Sequence, residues 1–237
     1  MTNVPEVLAT NEEEPQHRTG NGQPKAPGLK STAHIRPKAS SALQINGDFP
    51  LTDSGNAERF ARDHGDVVHY CHPWDKWLTW NGRRWKNDDT DMVGALAKQT
   101  VRGIYKAAAD QSDDDLRKSL AAWAHQSESA GRRAAMVKLA RSEPGIPVLP
   151  ADLDRDPWLL NLENGTLDLR TGQLRPHDKT DLITTSTAVV FDPQATCPTW
   201  QKFLADIFAG HQGMIGFMQR LLGYALTGVV KEHILSL

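Results

Sequence analysis

The sequence predicts an α+β fold, mainly helical: a small N-terminal β-hairpin, a helical block, a β-meander and a C-terminal helical pair leading into an unfinished strand. Two observations predict it. Apolar residues recur at helical spacing through residues 90–141 and again through 200–226. Asn81-Gly82, Asn164-Gly165 and Thr171-Gly172 each separate short runs of strand-forming residues, which is the pattern of hairpin turns.

Residues 1–48 read as a disordered tail. Pro5, Pro15, Pro24, Pro27 and Pro37 fall in a stretch with few large apolar side chains. Order starts near Leu51. In the run LTDSGNAERFARDHG, Asp53 or Ser54 can cap a helix, Gly65 can end it, and Ala57, Phe60 and Ala61 share one face. Residues 67–70, 76–80 and 83–86 follow as three short strands. A two-residue Asn81-Gly82 turn separates the second and third, and of the tryptophans Trp74, Trp80 and Trp85 cannot all share one strand face. Met92, Leu96, Val101, Ile104, Tyr105 and Ala108 mark the first helix of the block. Ser112 with Asp115 has capping-box spacing for the second, whose start is favoured by Asp113, Asp114 and Asp115. A third helix holds Arg132, Arg133, Lys138 and Arg141. Hairpin and block together span 51–143.

Pro144, Gly145 and Pro147 break the helical pattern, and a second region spans 148–228. It opens with the meander around Leu160, Leu167, Leu169 and Leu174. Residues 181–191, rich in Thr and Val, read as a longer strand. Pro198 opens a helix whose stripe is Trp200, Phe203, Leu204, Ile207 and Phe208. A second helix, 214–226, is expected to pack on it, and its apolar surface favours self-association.

Composition excludes several classes. The 237 residues, 39% hydrophobic and 24% charged, make a soluble globular mix. No apolar run reaches the length of a membrane span, and the acidic N-terminus has no signal core, so no membrane partner is expected. Cys71 and Cys197 lie far apart and outside any CxxC pair, which fits a cytoplasmic setting. A net charge of -2 leaves any nucleic-acid partner to a local basic patch.

No self-contained active site emerges. The sequence lacks a serine nucleophile elbow, an HExxH pair, a GxGxxG loop and a Walker A loop. His64, His69, Cys71 and His72 do not form the two well-spaced pairs of a structural zinc site, and strand alternation splits His72 from the other two strand residues. Asp88, Asp89 and Asp91 sit where a strand gives way to a helix, so capping accounts for them, and Asp168 stands singly on a hairpin strand. No catalytic, metal or cofactor-binding residue is assigned. Candidate DNA contacts are Arg83, Arg84 and Lys86, beside Trp80 and Trp85, and Arg132, Arg133, Lys138 and Arg141 on the basic helix. A tryptophan-rich packing hairpin and a solvated basic helix face are the plainer readings of the same residues.

Five blocks in order carry a resemblance. They are Gly55-Asn56-Ala57 with Arg59-Phe60; Trp80-Asn81-Gly82-Arg83-Arg84-Trp85; Asn164-Gly165-Thr166-Leu167-Asp168-Leu169; Cys197-Pro198-Thr199-Trp200 with Phe203-Leu204; and Gln219-Arg220, Gly223-Tyr224 and Leu226-Thr227-Gly228. Residues 51–237 resemble the region ahead of the helicase domain in phage and plasmid primase–helicases related to the poxvirus primase-associated helicase of superfamily 3. The resemblance implies a place in phage, prophage or plasmid DNA replication. The implied partners are single-stranded DNA, weakly held, the primase or helicase domain of the same system, and further copies of the chain. It also implies that 229–237 begins a missing helicase domain, cut just before its Walker A loop. ATP and Mg²⁺ are then expected only where that domain is supplied. The alternatives are an active primase or ATP-dependent helicase, and a nonfunctional remnant.

Overall fold

A computed structural model describes residues 49–231; the expected tail and the expected strand beginning at Ile234 lie outside the described residues. The fold is α+β, with six helices and two small antiparallel sheets among the described residues. Helix α1 (Asp53–His64) leads into a sheet of β1 (Val68–Cys71), β2 (Lys76–Trp80) and β3 (Trp85–Asn87). Helices α2 (Met92–Ala109), α3 (Asp114–Ser127) and α4 (Ala130–Ala140) form the helical block. A second sheet follows, β4 (Leu159–Leu162), β5 (Gly165–Asp168) and β6 (Gln173–Arg175), and then α5 (Pro198–Ile207) and α6 (Gln212–Ala225). Both sheets are meanders in chain order.

Helix α1 packs on α2 and α4, and the expected face is the buried one. Ala57 and Phe60 are fully buried with Val68, Tyr70, Val93, Ala97, Met136 and Ile146, and Ala61 packs at the edge. Its cap is Thr52 instead of Asp53 or Ser54: the Thr52 hydroxyl accepts the Gly55 amide at 3.1 Å. All three residues are competent caps, and sequence alone does not separate them. The same one-residue ambiguity recurs at α3. Asp113 is the cap, with Oδ1 accepting the amides of Asp115 at 2.9 Å and Leu116 at 3.0 Å, so the Ser112 capping box does not form. At α2, Asp88 accepts the amides of Met92 and Val93 at 2.8 and 2.9 Å, while Asp91 takes a left-handed backbone at φ 58° and caps nothing with its side chain.

A buried polar hub ties α1 to α3. Asn56 is fully buried, donates to Ser127 Oγ at 3.0 Å, and accepts from Trp123 Nε1 at 2.9 Å and Arg59 Nη1 at 3.4 Å. Arg59 also donates to the carbonyls of Phe49 and Pro50, which anchors the chain entering α1.

A second buried cluster joins the N-terminal sheet to the later segment. Cys71, Leu78 and Trp85 pack with Val148 and Leu153, and Leu182 covers them. In the second sheet, β4 and β5 pair Leu162 with Gly165 across a two-residue turn. A Cβ on Gly165 would fall 2.5 Å from the Arg175 carbonyl oxygen, so β6 crosses where only glycine fits.

Residues 181–191 do not form the expected strand. Their hydrogen bonds are shared among three partners instead of forming one ladder. The Asp154 amide donates to the Leu182 carbonyl at 3.1 Å, and the Trp85 amide to Ile183 at 2.8 Å. Thr187 then donates to the Asn161 carbonyl at 2.9 Å, and Glu163 to the Val189 carbonyl at 2.9 Å. The segment leaves the edge of one sheet and joins the other, and this context overrides its β-propensity. The expected packing of α6 on α5 is likewise not found. Helix α5 buries only Leu204 and α6 buries nothing.

Two histidines make the fold sensitive to acid. His64 Nε2 lies 3.1 Å from Thr100 Oγ1, and His69 Nδ1 lies 3.1 Å from the Gly145 carbonyl while its ring lies tilted against Trp85. Burial pushes both below the ordinary histidine value; Asp63 partly opposes this at His64, and the Ile146 and Gly145 backbone at His69. The unfolded chain therefore takes up these protons at a higher pH than the folded one. Stability is unaffected above the ordinary value of 6.5 and falls as pH drops below it toward the folded values. Thermal melts across that window are expected to show a falling midpoint, and His69→Gln to flatten the slope. A midpoint independent of pH in the wild-type chain would contradict this assignment.

Candidate nucleic-acid interface

The hairpin tip between β2 and β3 is the first place where basic and aromatic residues meet. Trp80 pairs with Trp85, so the loop is four residues, 81–84, and not the expected two-residue turn. Asn81 accounts for the difference. Its Oδ1 accepts the amides of Arg83 at 3.0 Å and Arg84 at 2.9 Å, its own amide donates to the Arg84 carbonyl at 3.2 Å, and only Gly82 takes positive φ, at 92°. The side-chain turn replaces the backbone turn that a two-residue loop would need.

Both arginines at this tip have partners in the later part of the chain, Arg83 while still half exposed. Arg83 forms an ion pair with Glu163, and its carbonyl accepts from Asn161 Nδ2 at 3.0 Å. Arg84 Nη1 donates to the Thr184 carbonyl at 2.6 Å. Trp85 is 1% exposed and its Nε1 donates to the Lys179 carbonyl at 2.9 Å. Lys179 in turn pairs with Asp66 at 2.5 Å. The run Trp80-Asn81-Gly82-Arg83-Arg84-Trp85 is thus a joint holding the two sheets together. Trp80 is half-buried and Trp85 buried, so neither presents an open ring face for a base. Lys86 is half-buried, and its side chain has no hydrogen-bond or ion-pair partner among the described residues.

The second group lies on α4. Arg132 spans the Trp123 ring at 4.4 Å and donates to Asp53 at 3.2 Å and Gln126 at 3.4 Å. Arg133 donates to the Glu128 carbonyl at 3.1 Å. Arg141 covers the Tyr70 ring at 4.5 Å and reaches Asp75 at 3.4 Å. Lys138 is exposed and has no such partner among the described residues. Asp75 precedes β2 and the hairpin loop follows it, so Arg141's contact and the Arg83 loop lie at opposite ends of that strand. The seven candidates fall in two separate groups, and five of them spend their charge or donors on the protein itself. Exposed pairs of this kind contribute little to stability, and salt screens them.

Trp74 differs from its three tryptophan neighbours in a way its sequence spacing does not show. It is the exposed one, at 45%, set by the turn at His72–Trp74 whose Pro73 bends the chain. Beside it lies a groove of about 470 Å³ lined by Asp75, Lys76, Trp77, Asp88, Asp89 and Asp91. Its carboxylates repel phosphate, which keeps a nucleic-acid backbone out of the groove. The remaining candidate ligands have protein partners: His72 Nε2 lies 3.1 Å from the Arg141 carbonyl, and Cys71 is buried in the core. Among the described residues no group of three or more His, Cys, Asp or Glu is placed to hold a metal, and no helix is long and apolar enough to cross a membrane.

A family model described as D5 N terminal like matches residues 57–209. The chain belongs to the D5 N terminal like family. The match takes in the hairpin joint, the helical block, the meander and α5, and leaves α6 beyond its end. D5 N terminal like regions occur in phage and plasmid primase–helicase proteins, and the family marks an N-terminal region of replication proteins of that type. No curated protein matches the chain.

Proposed function

We propose that this D5 N terminal like chain is the pre-helicase region of a phage, prophage or plasmid primase–helicase of the poxvirus-related, superfamily 3 kind. In this reading it works in the cytoplasm and links the primase and helicase parts of the system. It touches single-stranded DNA weakly through its two basic groups, with Lys86 and Lys138 contributing most because no protein partner competes for them. Its work is binding and not bond chemistry. The family match across residues 57–209 carries the proposal.

Phosphoryl transfer depends on backbone amides and a lysine aimed at the β- and γ-phosphates, with a Ser or Thr on Mg²⁺. The 237 residues contain no GxxxxGK[ST] run that could supply them. ATP and Mg²⁺ are therefore assigned to a helicase domain acting with this region. The purified chain is expected to give no ATP turnover, with or without single-stranded DNA. Turnover that survives removal of contaminating ATPases would overturn the reading.

A further inference from the structure

We propose that the outer face of α2 is a cationic stripe that lies along the phosphate backbone of double-stranded DNA, separate from the single-strand contacts of Lys86 and Lys138. Lys98, Arg102 and Lys106 recur at i, i+4, i+8 on this helix, and all three are exposed. At 3.6 residues per turn they stay within an arc of roughly 80° and run along about 12 Å of the helix. None of the three side chains has a hydrogen-bond or ion-pair partner among the described residues. They differ in this from Arg83, Arg84, Arg132, Arg133 and Arg141, whose donors are taken by the protein. Helix α2 holds no Asp or Glu, so no carboxylate of its own offsets the three charges.

The neighbours of the cations select among polyanions. Ala95, Gln99 and Ala109 fill the rest of the exposed arc. The large apolar residues lie on the other side: Val93, Leu96, Val101 and Ile104 are buried, and Tyr105, the one aromatic of α2, packs against the core. An acidic protein partner needs an apolar or aromatic centre to its contact, and this face offers none. A single strand is ordinarily held in a groove with its bases stacked on aromatic rings, which offsets the cost of ordering a flexible chain. A convex helix face without a ring supplies neither. A duplex is stiff over roughly 150 base pairs, so its phosphates arrive already aligned. At about 3.4 Å of axis per phosphate on one strand, the stripe reaches three of them. The choice of DNA as the polyanion rests on the replication reading, whereas the stripe itself rests on exposure and charge.

The test is an anisotropy titration of the full 237-residue chain across a salt series with two labelled probes, a short duplex and one of its strands. Three phosphates at about 0.9 each put about -2.7 into the duplex slope of log affinity against log salt. That share alone lowers affinity about 40-fold between about 50 and 200 mM salt. Lys98→Gln with Arg102→Gln and Lys106→Gln is expected to remove it and to leave single-strand binding unchanged. Arg102→Gln alone is expected to remove about a third of it, which gives a reading should the triple variant fail to fold. Lys86→Gln with Lys138→Gln is expected to weaken single-strand binding and keep the α2 share of the duplex slope. A chain that binds the single strand and not the duplex overturns the stripe and leaves the replication reading standing, and a chain that binds neither overturns both. A folded triple variant with the wild-type duplex slope, or one that loses the two probes equally, overturns the assignment of α2 to the duplex.

Discussion

Replacing Trp85 with alanine is expected to lower the unfolding free energy by about 3–5 kcal/mol. The indole is 1% exposed and fills the space between the N-terminal sheet and the segment holding Val148 and Leu153. It lies tilted against His69 with centroids 4.3 Å apart and lies 5.7 Å from the Trp80 ring. Its Nε1 bond to the Lys179 carbonyl and its amide bond to Ile183 both cross from the first sheet to the later segment. Truncation therefore opens a cavity at the joint and leaves the Lys179 carbonyl with only the longer bond from the Leu182 amide, at 3.3 Å. Trp85→Phe keeps most of the volume and loses the indole donor, so its expected cost is smaller, about 1–2 kcal/mol. Urea denaturation of the three proteins measures the series. A Trp85→Ala chain as stable as wild type would mean that the two sheets are not held through this residue.

The second large effect is expected at Asn56. Its side-chain amide satisfies three groups at once: Ser127 Oγ, Trp123 Nε1 and Arg59 Nη1. Asn56 and Ser127 are fully buried and Trp123 nearly so, which leaves water little access to replace a lost partner. Asn56→Ala strands the Trp123 N–H and the Ser127 hydroxyl together, at about 1–3 kcal/mol for each group left unsatisfied. Ser127→Ala removes one partner and leaves the Trp123 bond intact, so it is expected to cost about 1 kcal/mol. Equal losses for the two variants, read from the same denaturation curves, would contradict the hub as drawn. Gly55-Asn56-Ala57 with Arg59-Phe60 was one of the five blocks on which the family resemblance rested, and this hub gives Asn56 and Arg59 a structural reason for being there.

Much of the architecture was legible in the residues because two periods rarely mimic each other. Met92, Leu96, Val101, Ile104 and Ala108 repeat at the helical spacing, whereas Leu160, Leu167 and Leu174 sit in short runs closed by glycine turns. What failed was local competition or long-range context. Thr52, Asp53 and Ser54 all can cap, and the geometry selected the first. Asn81 offered a side-chain turn that the Asn-Gly rule does not anticipate. Residues 181–191 carry strand composition, but Asp154 accepts the Thr184 amide at 2.8 Å and the Thr185 amide at 3.4 Å, diverting the backbone from any single ladder. The basic candidates were legible as charges and not as contacts. Nothing near Arg84 in the sequence announces that its guanidinium ends on Thr184, one hundred residues away. The apolar stripe of α5 was legible too, but periodicity says only that a face is apolar, not what covers it.

The proposed role rests on a small number of cations meeting phosphate without any accompanying chemistry, and one titration tests that most directly. Binding of a labelled single-stranded oligonucleotide to the 237-residue chain, followed by anisotropy across a salt series, measures how many counterions are released. Two or three phosphate contacts, at about 0.7 each on a single strand, predict a slope of log affinity against log salt between about -1.4 and -2.1. Lys86→Glu with Lys138→Glu is expected to flatten that slope and to weaken binding at low salt. Affinity that ignores salt, or no binding even at the lowest salt, would contradict a DNA-contacting role for this region.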